Sequence, residues 1–277
     1  MAKAQGIIGN FKGKIGNTVG YQLTSSNNKQ TQGIRIYQPN VKNPKTSAQA
    51  EQRAKLAPIN ATYRALKMII DRGNEGLPYG NKSRLAWLKQ AFKASAMPWY
   101  VKGTVVKMPV ACQLTKGSLP GVAFTVGEEE LQITAASVAA ETVVATIGDI
   151  SKILLDHYPS LKDGDQVTLI LGAESGRDLV FDVFSFVIDT TDTTPQAGFT
   201  AARGSLRYVG KFGGFAGSVI ISREGANGEH LRSSSNLQLW NEAEVEVPYD
   251  AASKTAAIKS YMTSGTTNDD WSEEPID

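Results

Sequence analysis

The residues whose types could do chemistry are few and widely spaced. The run GNFKGKIG, Gly9 to Gly16, has the glycine and lysine density of a loop that wraps phosphates in backbone amides. Such a loop needs four residues between its glycines and then Lys followed by Ser or Thr, so that a hydroxyl meets magnesium. Here three residues separate Gly9 from Gly13, and Lys14 is followed by Ile15. No nucleotide site is expected from that run. Zinc requires three or four nitrogen, sulfur or carboxylate ligands, and the soft or nitrogen ligands on offer are Cys112, His157 and His230, far apart in the chain. His230 precedes Ser233-Ser234-Ser235, but no G-x-S-x-G turn presents a serine as a nucleophile. Carboxylate runs such as Glu128–Glu130, and the pair Asp189 and Asp192, read as solvated turns. The sequence therefore assigns no catalytic residue, no metal ligand and no cofactor, and the expectation is a protein that is not an enzyme.

What remains is a binding surface. Lys3, Lys12, Lys14, Lys29, Arg35, Lys42 and Lys45 punctuate the first 45 residues, with Tyr21 and Tyr37 among them. Basic side chains interleaved with aromatics grip single-stranded nucleic acid by charge and stacking. Glycine-rich basic arms also thread between subunits of protein shells, where backbone pairing supplies affinity. A plain solvated face is the third reading. No named nucleic-acid motif is present. The residues singled out for assembly or polyanion binding are Phe11, Lys12, Lys14, Tyr21, Arg35, Tyr37, Lys42 and Arg53.

The net charge of +2 conceals a polarised chain. Residues 1–110 hold 18 Lys/Arg against three acids (Glu51, Asp71 and Glu75), a balance of +15. The remaining 11 Lys/Arg meet 24 acids, a balance of −13. Such a dipole suits a polyanion at the basic end, or copies meeting basic end to acidic flank. Two solubilising surfaces that differ by chance would look the same.

Four elements must position these groups. Residues 1–45 form a glycine-rich basic arm, with Gly6, Gly9, Gly13, Gly16 and Gly20 recurring every three or four residues. That density disfavours helix, and Asn27-Asn28 between GYQLT and TQGIRIYQ suggests a hairpin. Residues 46–103 read as a helical hairpin. Thr46 and Gln49 have capping-box spacing, and Leu56, Ile59, Tyr63, Leu66 and Ile70 make one apolar stripe, with Pro58 expected to kink or restart the helix. In the second helix Leu85, Leu88, Phe92 and Ser95 share a face, with Trp87 and Ala91 beside it. Residues 104–247 switch to period two. TVVKMPVACQL, VAFTVG, LQITA, TVVATI, QVTLILG, LVFDVFSFVI, SLRYVGKF and GSVIISRE alternate with turn material such as Lys162-Asp163-Gly164-Asp165 and Gly225-Ala226-Asn227-Gly228, with a short helix near Ser151–Tyr158. That pattern predicts an antiparallel β-sandwich. Residues 248–277 read as an acidic tail in which Trp271 and Ile276 are available as anchors. The fold class is α+β.

No apolar run approaches the roughly 18–20 residues that span a bilayer, and the first residues lack a secretory apolar stretch. The lone Cys112 makes no intramolecular disulfide, which suits a reducing compartment. No membrane partner is expected.

Residues Gly6–Ala57 carry a resemblance. The run of Gly9, Phe11, Gly13, Lys14, Gly16, Val19 and Gly20, then Asn43, Pro44, Thr46, Gln49, Gln52 and Arg53, resembles a domain family of Bacteroidetes bacteria and their gut phages. Members open on G-x-F-x-G-K-x-G-x-x-V-G and continue into N-P-x-T-x-x-Q-x-x-Q-R. A looser continuation reaches Arg232-Ser233-Ser234-Ser235-Asn236-Leu237, similar to the family's closing strand, and the chain departs from the family after about Asn241. The family has no assigned activity and lends no catalytic residues. The resemblance implies crAss-like phage virions, whose tails contain rings of small structural proteins. The expectation is thus a virion subunit, a tail or neck ring component, made in the host cytoplasm. Its partners would be copies of itself and other virion proteins, with nucleic acid as the alternative partner of the basic arm. A cell-surface or carbohydrate-binding module is a third reading, weakened by the missing signal.

Overall fold

The computed structural model describes residues 13–24, 30–37, 46–94, 96–127, 130–138, 142–174, 179–196, 198–210, 215–226, 228–240 and 249–263. The chain divides into two compact units, residues 1–45 and 46–277.

The first unit is a three-stranded antiparallel sheet in the order β1 (Gly13–Ile15), β2 (Thr18–Thr24), β3 (Gln30–Ile36). Gly16, at φ +59°, supplies the left-handed residue of the Gly16-Asn17 turn joining β1 to β2, and Asn17 then accepts the Tyr37 amide at 2.8 Å. Asn27-Asn28 lie outside the described residues, but β2 and β3 pair from Thr18↔Ile36 to Thr24↔Gln30 as a hairpin requires.

The second unit opens with α1 (Ser47–Ala65), α2 (Lys67–Ile70) and α3 (Asn81–Ala91). Thr46 Oγ1 caps α1 by accepting the Gln49 amide at 3.3 Å. Pro58 neither stops nor restarts the helix; the break falls at Leu66 instead. Burial of Pro58 among Ala50, Ala54, Ile59 and Thr62 offsets the lost backbone bond. Ile59, Leu66 and Ile70 of the expected α1 stripe are buried and Tyr63 packs beside them, whereas the buried face of α3 is shifted by about one position, to Ser83, Trp87 and Ala91. Leu56 and Leu85 are 39% and 51% exposed, while small residues (Ala50, Ala54, Thr62, Ser83, Ala91) line the buried faces. Small side chains let the backbones approach, and one large ring, Trp87, fills the space between them beside Tyr63 at 6.1 Å.

The chain then builds β4 (Gln113–Thr115), β5 (Phe124–Val126), β6 (Glu130–Thr134), β7 (Thr142–Val143), α4 (Ile147–His157), β8 (Gln166–Glu174) and β9 (Leu179–Val187). It continues through β10 (Phe199–Ala202), β11 (Ser205–Val209), β12 (Ala216–Glu224), β13 (His230–Arg232), β14 (Ser235–Asn236), β15 (Gln238–Leu239) and α5 (Ala251–Thr263). One antiparallel sheet runs β5-β6-β11-β10-β7 and another β13-β12-β8-β9, with β15 also on β12. Alternation puts Leu131, Ile133, Leu206 and Tyr208 of the first sheet, and Val167, Leu169, Leu171, Val219 and Ile221 of the second, into one core. The amphipathic α4 closes that core with Ile147, Ile150 and Leu154. The fold is α+β. Two stretches expected as strands are shorter: TVVKMPVACQL keeps only Gln113–Thr115, because Pro109 has no amide for a ladder, and TVVATI yields two strand residues before Thr146 caps α4.

The other face of the second sheet is also covered. Ile170, Ala216 and Ile220 pack into a second cluster with Ala54, Ile59, Trp87, Ala91, Val110, Cys112 and Ala257. Every residue from Ala216 to Ile221 is consequently buried, and helices and sandwich form one unit, 46–277. Ala257 belongs to α5, so residues 251–263 of the region expected as a tail are a docked helix. Lys254 ties it to Glu51 of α1 at 3.2 Å. Among the described residues no helix is long and apolar enough to cross a membrane.

Candidate interaction surface

The register of the first unit sorts its side chains onto two faces. Rows Ile15–Thr18–Ile36 and Gly13–Gly20–Ile34 lie on one face, and the row Lys14–Val19–Arg35 on the other, because strand side chains alternate. Ile15, Ile34 and Ile36 are 54%, 49% and 73% exposed. Glycines in the row with Ile34 leave that face shallow. The opposite face gathers Lys14, Val19, Tyr21, Arg35 and Tyr37. Lys14 Nζ stands 3.5 Å from the Tyr37 ring centroid, a cation–π contact worth about 0.5–1 kcal/mol when exposed. The Tyr21 ring lies flat across Gly33, where a Cβ would collide with it.

Of the residues singled out from the sequence, Lys14, Tyr21, Arg35 and Tyr37 therefore share one face. Phe11, Lys12 and Lys42 lie outside the described residues. Arg53 belongs to the second unit, exposed on α1. The isoleucine face was missed as a surface. Its signal was available, since Ile34 and Ile36 flank Arg35 at period two.

The remaining chemistry-bearing groups are engaged in structure. Burial pushes the Cys112 thiol up to about 12, far from the thiolate that reacts. Ser233 Oγ accepts the Ile221 amide at 2.9 Å, Ser234 Oγ donates to the Gly117 carbonyl at 3.0 Å, and Ser235 shares a 2.7 Å bond with Ser218. His230 instead faces the Tyr79 ring at 5.8 Å. Asp189 and Asp192 each accept an amide two residues on, from Thr191 and Thr194, and the Thr191 hydroxyl, with its amide second, holds the Asp189 carboxyl below its usual range. Among the described residues no three His, Cys, Asp or Glu side chains gather as metal ligands.

The chain matches no protein-family model, no curated protein and no solved structure.

Proposed function

We propose that this chain is a structural subunit that assembles with copies of itself through the three-stranded sheet of residues 13–37, as a tail or neck ring component of a phage virion. The observation that carries the reading is the isoleucine face. A three-stranded sheet needs a covered apolar face for stability, and Ile15, Ile34 and Ile36 leave theirs largely in water. The place in a virion rests on the resemblance of residues 6–57, and the polarised charge supports contact between basic and acidic flanks.

A second reading draws on the opposite face. Lys14 and Arg35 beside Tyr21 and Tyr37 are the charge and stacking groups that hold single-stranded nucleic acid. Mass photometry of the purified chain over a concentration series separates the two. Closed oligomers of fixed stoichiometry are expected. A monomer that binds oligonucleotide, with affinity falling steeply with salt, would replace the first reading with the second.

A further inference from the structure

Away from the arm, the edges of the two sheets in the second unit are unequal. β5, β7 and β13 end their sheets as strands of two or three residues, and short edges are one way a fold avoids pairing with other chains. β9 ends the second sheet with nine residues, Leu179–Val187. It holds no Lys, Arg, Pro or Gly, the residues that commonly spoil an edge. Its register with β8 runs unbroken from Gln166↔Val187 to Glu174↔Leu179, so no bulge turns it away. Backbone phase fixes which groups are open. The Ile188 amide donates to the Asp165 carbonyl at 2.7 Å, and on the far side of β8 the Gly172 carbonyl accepts the Phe215 amide at 3.0 Å. Even-numbered residues of β9 therefore turn their N–H and C=O toward β8, and Val183, Ser185 and Val187 turn theirs to the edge. Among the described residues nothing pairs with those groups. Leu179, at the start of β9, shares a cavity wall with Ala61, Arg64 and Ala65 of α1, so the open stretch begins further along.

The side chains on that stretch complement themselves. Val183, Ser185 and Val187 lie on the sheet face away from the sandwich core, across from Ile170, Thr168 and Gln166, and the two valines are 45% and 51% exposed. Ser185 shares a 2.9 Å hydroxyl bond with Thr168. Neither the stretch nor these cross-strand neighbours carry a charge on that face. Asp182 points to the other face, where the Tyr208 hydroxyl donates to it at 3.1 Å. A charged partner would find nothing to pair with, whereas an identical strand meets this one without repulsion. We infer that β9 pairs antiparallel with β9 of a second copy about a two-fold axis at Ser185. Val183 of each copy then lies opposite Val187 of the other and Ser185 opposite Ser185, and each pair exchanges both N–H···O bonds. The valines of the two copies cover one another, and the two sheets become one. Pairing over residues 183–187 covers a strip about 17 Å by about 10 Å, roughly 350 Å² over both copies. Stable pairs begin at roughly 1,200 Å². β9 therefore joins copies already held near one another, and in this it rests on the arm-mediated assembly.

Cysteine crosslinking of the full chain reads the register. Opposed residues of a hydrogen-bonded antiparallel pair have Cα atoms about 5.5 Å apart, within the span of a disulfide. Ser185→Cys should therefore give a covalent dimer under oxidised glutathione at concentrations where the chain assembles. Val183→Cys alone should not, since its two copies lie apart along the strands, while a mixture of Val183→Cys and Val187→Cys chains should. The parent serves as the blank, because Cys112 is buried. Val183→Lys added to Ser185→Cys should abolish the crosslink and melt as the parent does, since Val183 is half exposed. No dimer from Ser185→Cys, an equal yield from Val183→Cys, or a crosslink that survives Val183→Lys would each overturn the inference. Failure of the arm reading would show separately, as a parent chain that mass photometry finds monomeric. Ser185→Cys should then still crosslink as the chain is concentrated, and its failure to do so would overturn the edge pairing too.

Discussion

Replacing Ile36 by Asp tests the assembly reading where it is most exposed. Full burial of an isoleucine side chain is worth about 1.5–3 kcal/mol. Scaled to exposures of 54%, 49% and 73%, covering Ile15, Ile34 and Ile36 contributes about 3–5 kcal/mol per sheet contact. That is on the order of 10² to 10⁴ in an association constant. Ile36 alone supplies about 1–2 kcal/mol of it. An aspartate there also strands a carboxylate against apolar surface, which adds several kcal/mol and offsets the whole gain. Ile36→Asp should therefore leave a monomer at concentrations where the parent chain is fully assembled. Lys14→Glu, on the opposite face, removes an exposed charge worth under about 1 kcal/mol and should shift assembly only several-fold. Sedimentation velocity across a concentration series reads both. Both clusters of the second unit are built from residues beyond 50, so its melting should not move. Assembly of Ile36→Asp at the parent's concentration would refute the reasoning, and so would Lys14→Glu proving the more damaging change.

Two further outcomes concern the second unit. Asp165 is buried and accepts the Lys162 amide at 2.8 Å and Arg223 at 2.6 and 2.7 Å. Asp165→Asn should cost about 3 kcal/mol, near the low end for breaking a buried pair because Arg223 keeps the Ser160 carbonyl; the thermal midpoint should fall by about 6–12 °C, and a fall under 1 °C would contradict the pairing. Glu75 is held below its usual range, chiefly by the Ser118 amide. A depressed carboxyl stabilises the fold above the unfolded value of about 4.3 and loses that contribution as pH falls through the folded one, so Glu75→Gln should melt below the parent at pH 7 and the gap should close below pH ~4.

The period-two runs of the sandwich were legible because each strand buries one face on a shared core: Leu131 and Ile133 flank half-buried Gln132, and Val167, Leu169 and Leu171 share one face of β8. β12 was legible as a strand but not as a central one. Only the helices packed on its second face explain why Ser218 is buried alongside Val219. The stripe of Ile59, Leu66 and Ile70 was legible, and the α3 face was not, because volume was taken as the signal of burial. At Ala50, Ala54, Ser83 and Ala257 close approach decides, and small residues on a helix read as surface without the partner in view. Residues 251–263 failed for the same reason, since an Ala/Ser/Thr-rich helix resembles a linker until Ala257 is seen against α1. The basic face of the arm was found from composition; Ile34 and Ile36 showed as a period-two pair, but Ile15 joins them on one face only through the register of β1, β2 and β3.

The two faces of the arm have different energetic uses, and this constrains how it can work. Ordering each residue of the sheet costs about 1–2 kcal/mol of backbone entropy, and pairing between three short strands does not recover that without a buried face. Lys14 and Arg35 cannot supply the buried face, since desolvating unpaired cations costs more than Val19 and the rings beside them return. On the proposed assembly reading the isoleucine face is the one that docks, and the basic face stays solvated. Docking and charge recognition become separable functions of one small sheet. Apolar substitutions should abolish assembly at every salt concentration, whereas charge substitutions should act only on what the outward face meets, and less as salt screens it. An assembly that fell apart on adding salt alone would mean that the faces had been assigned the wrong way round.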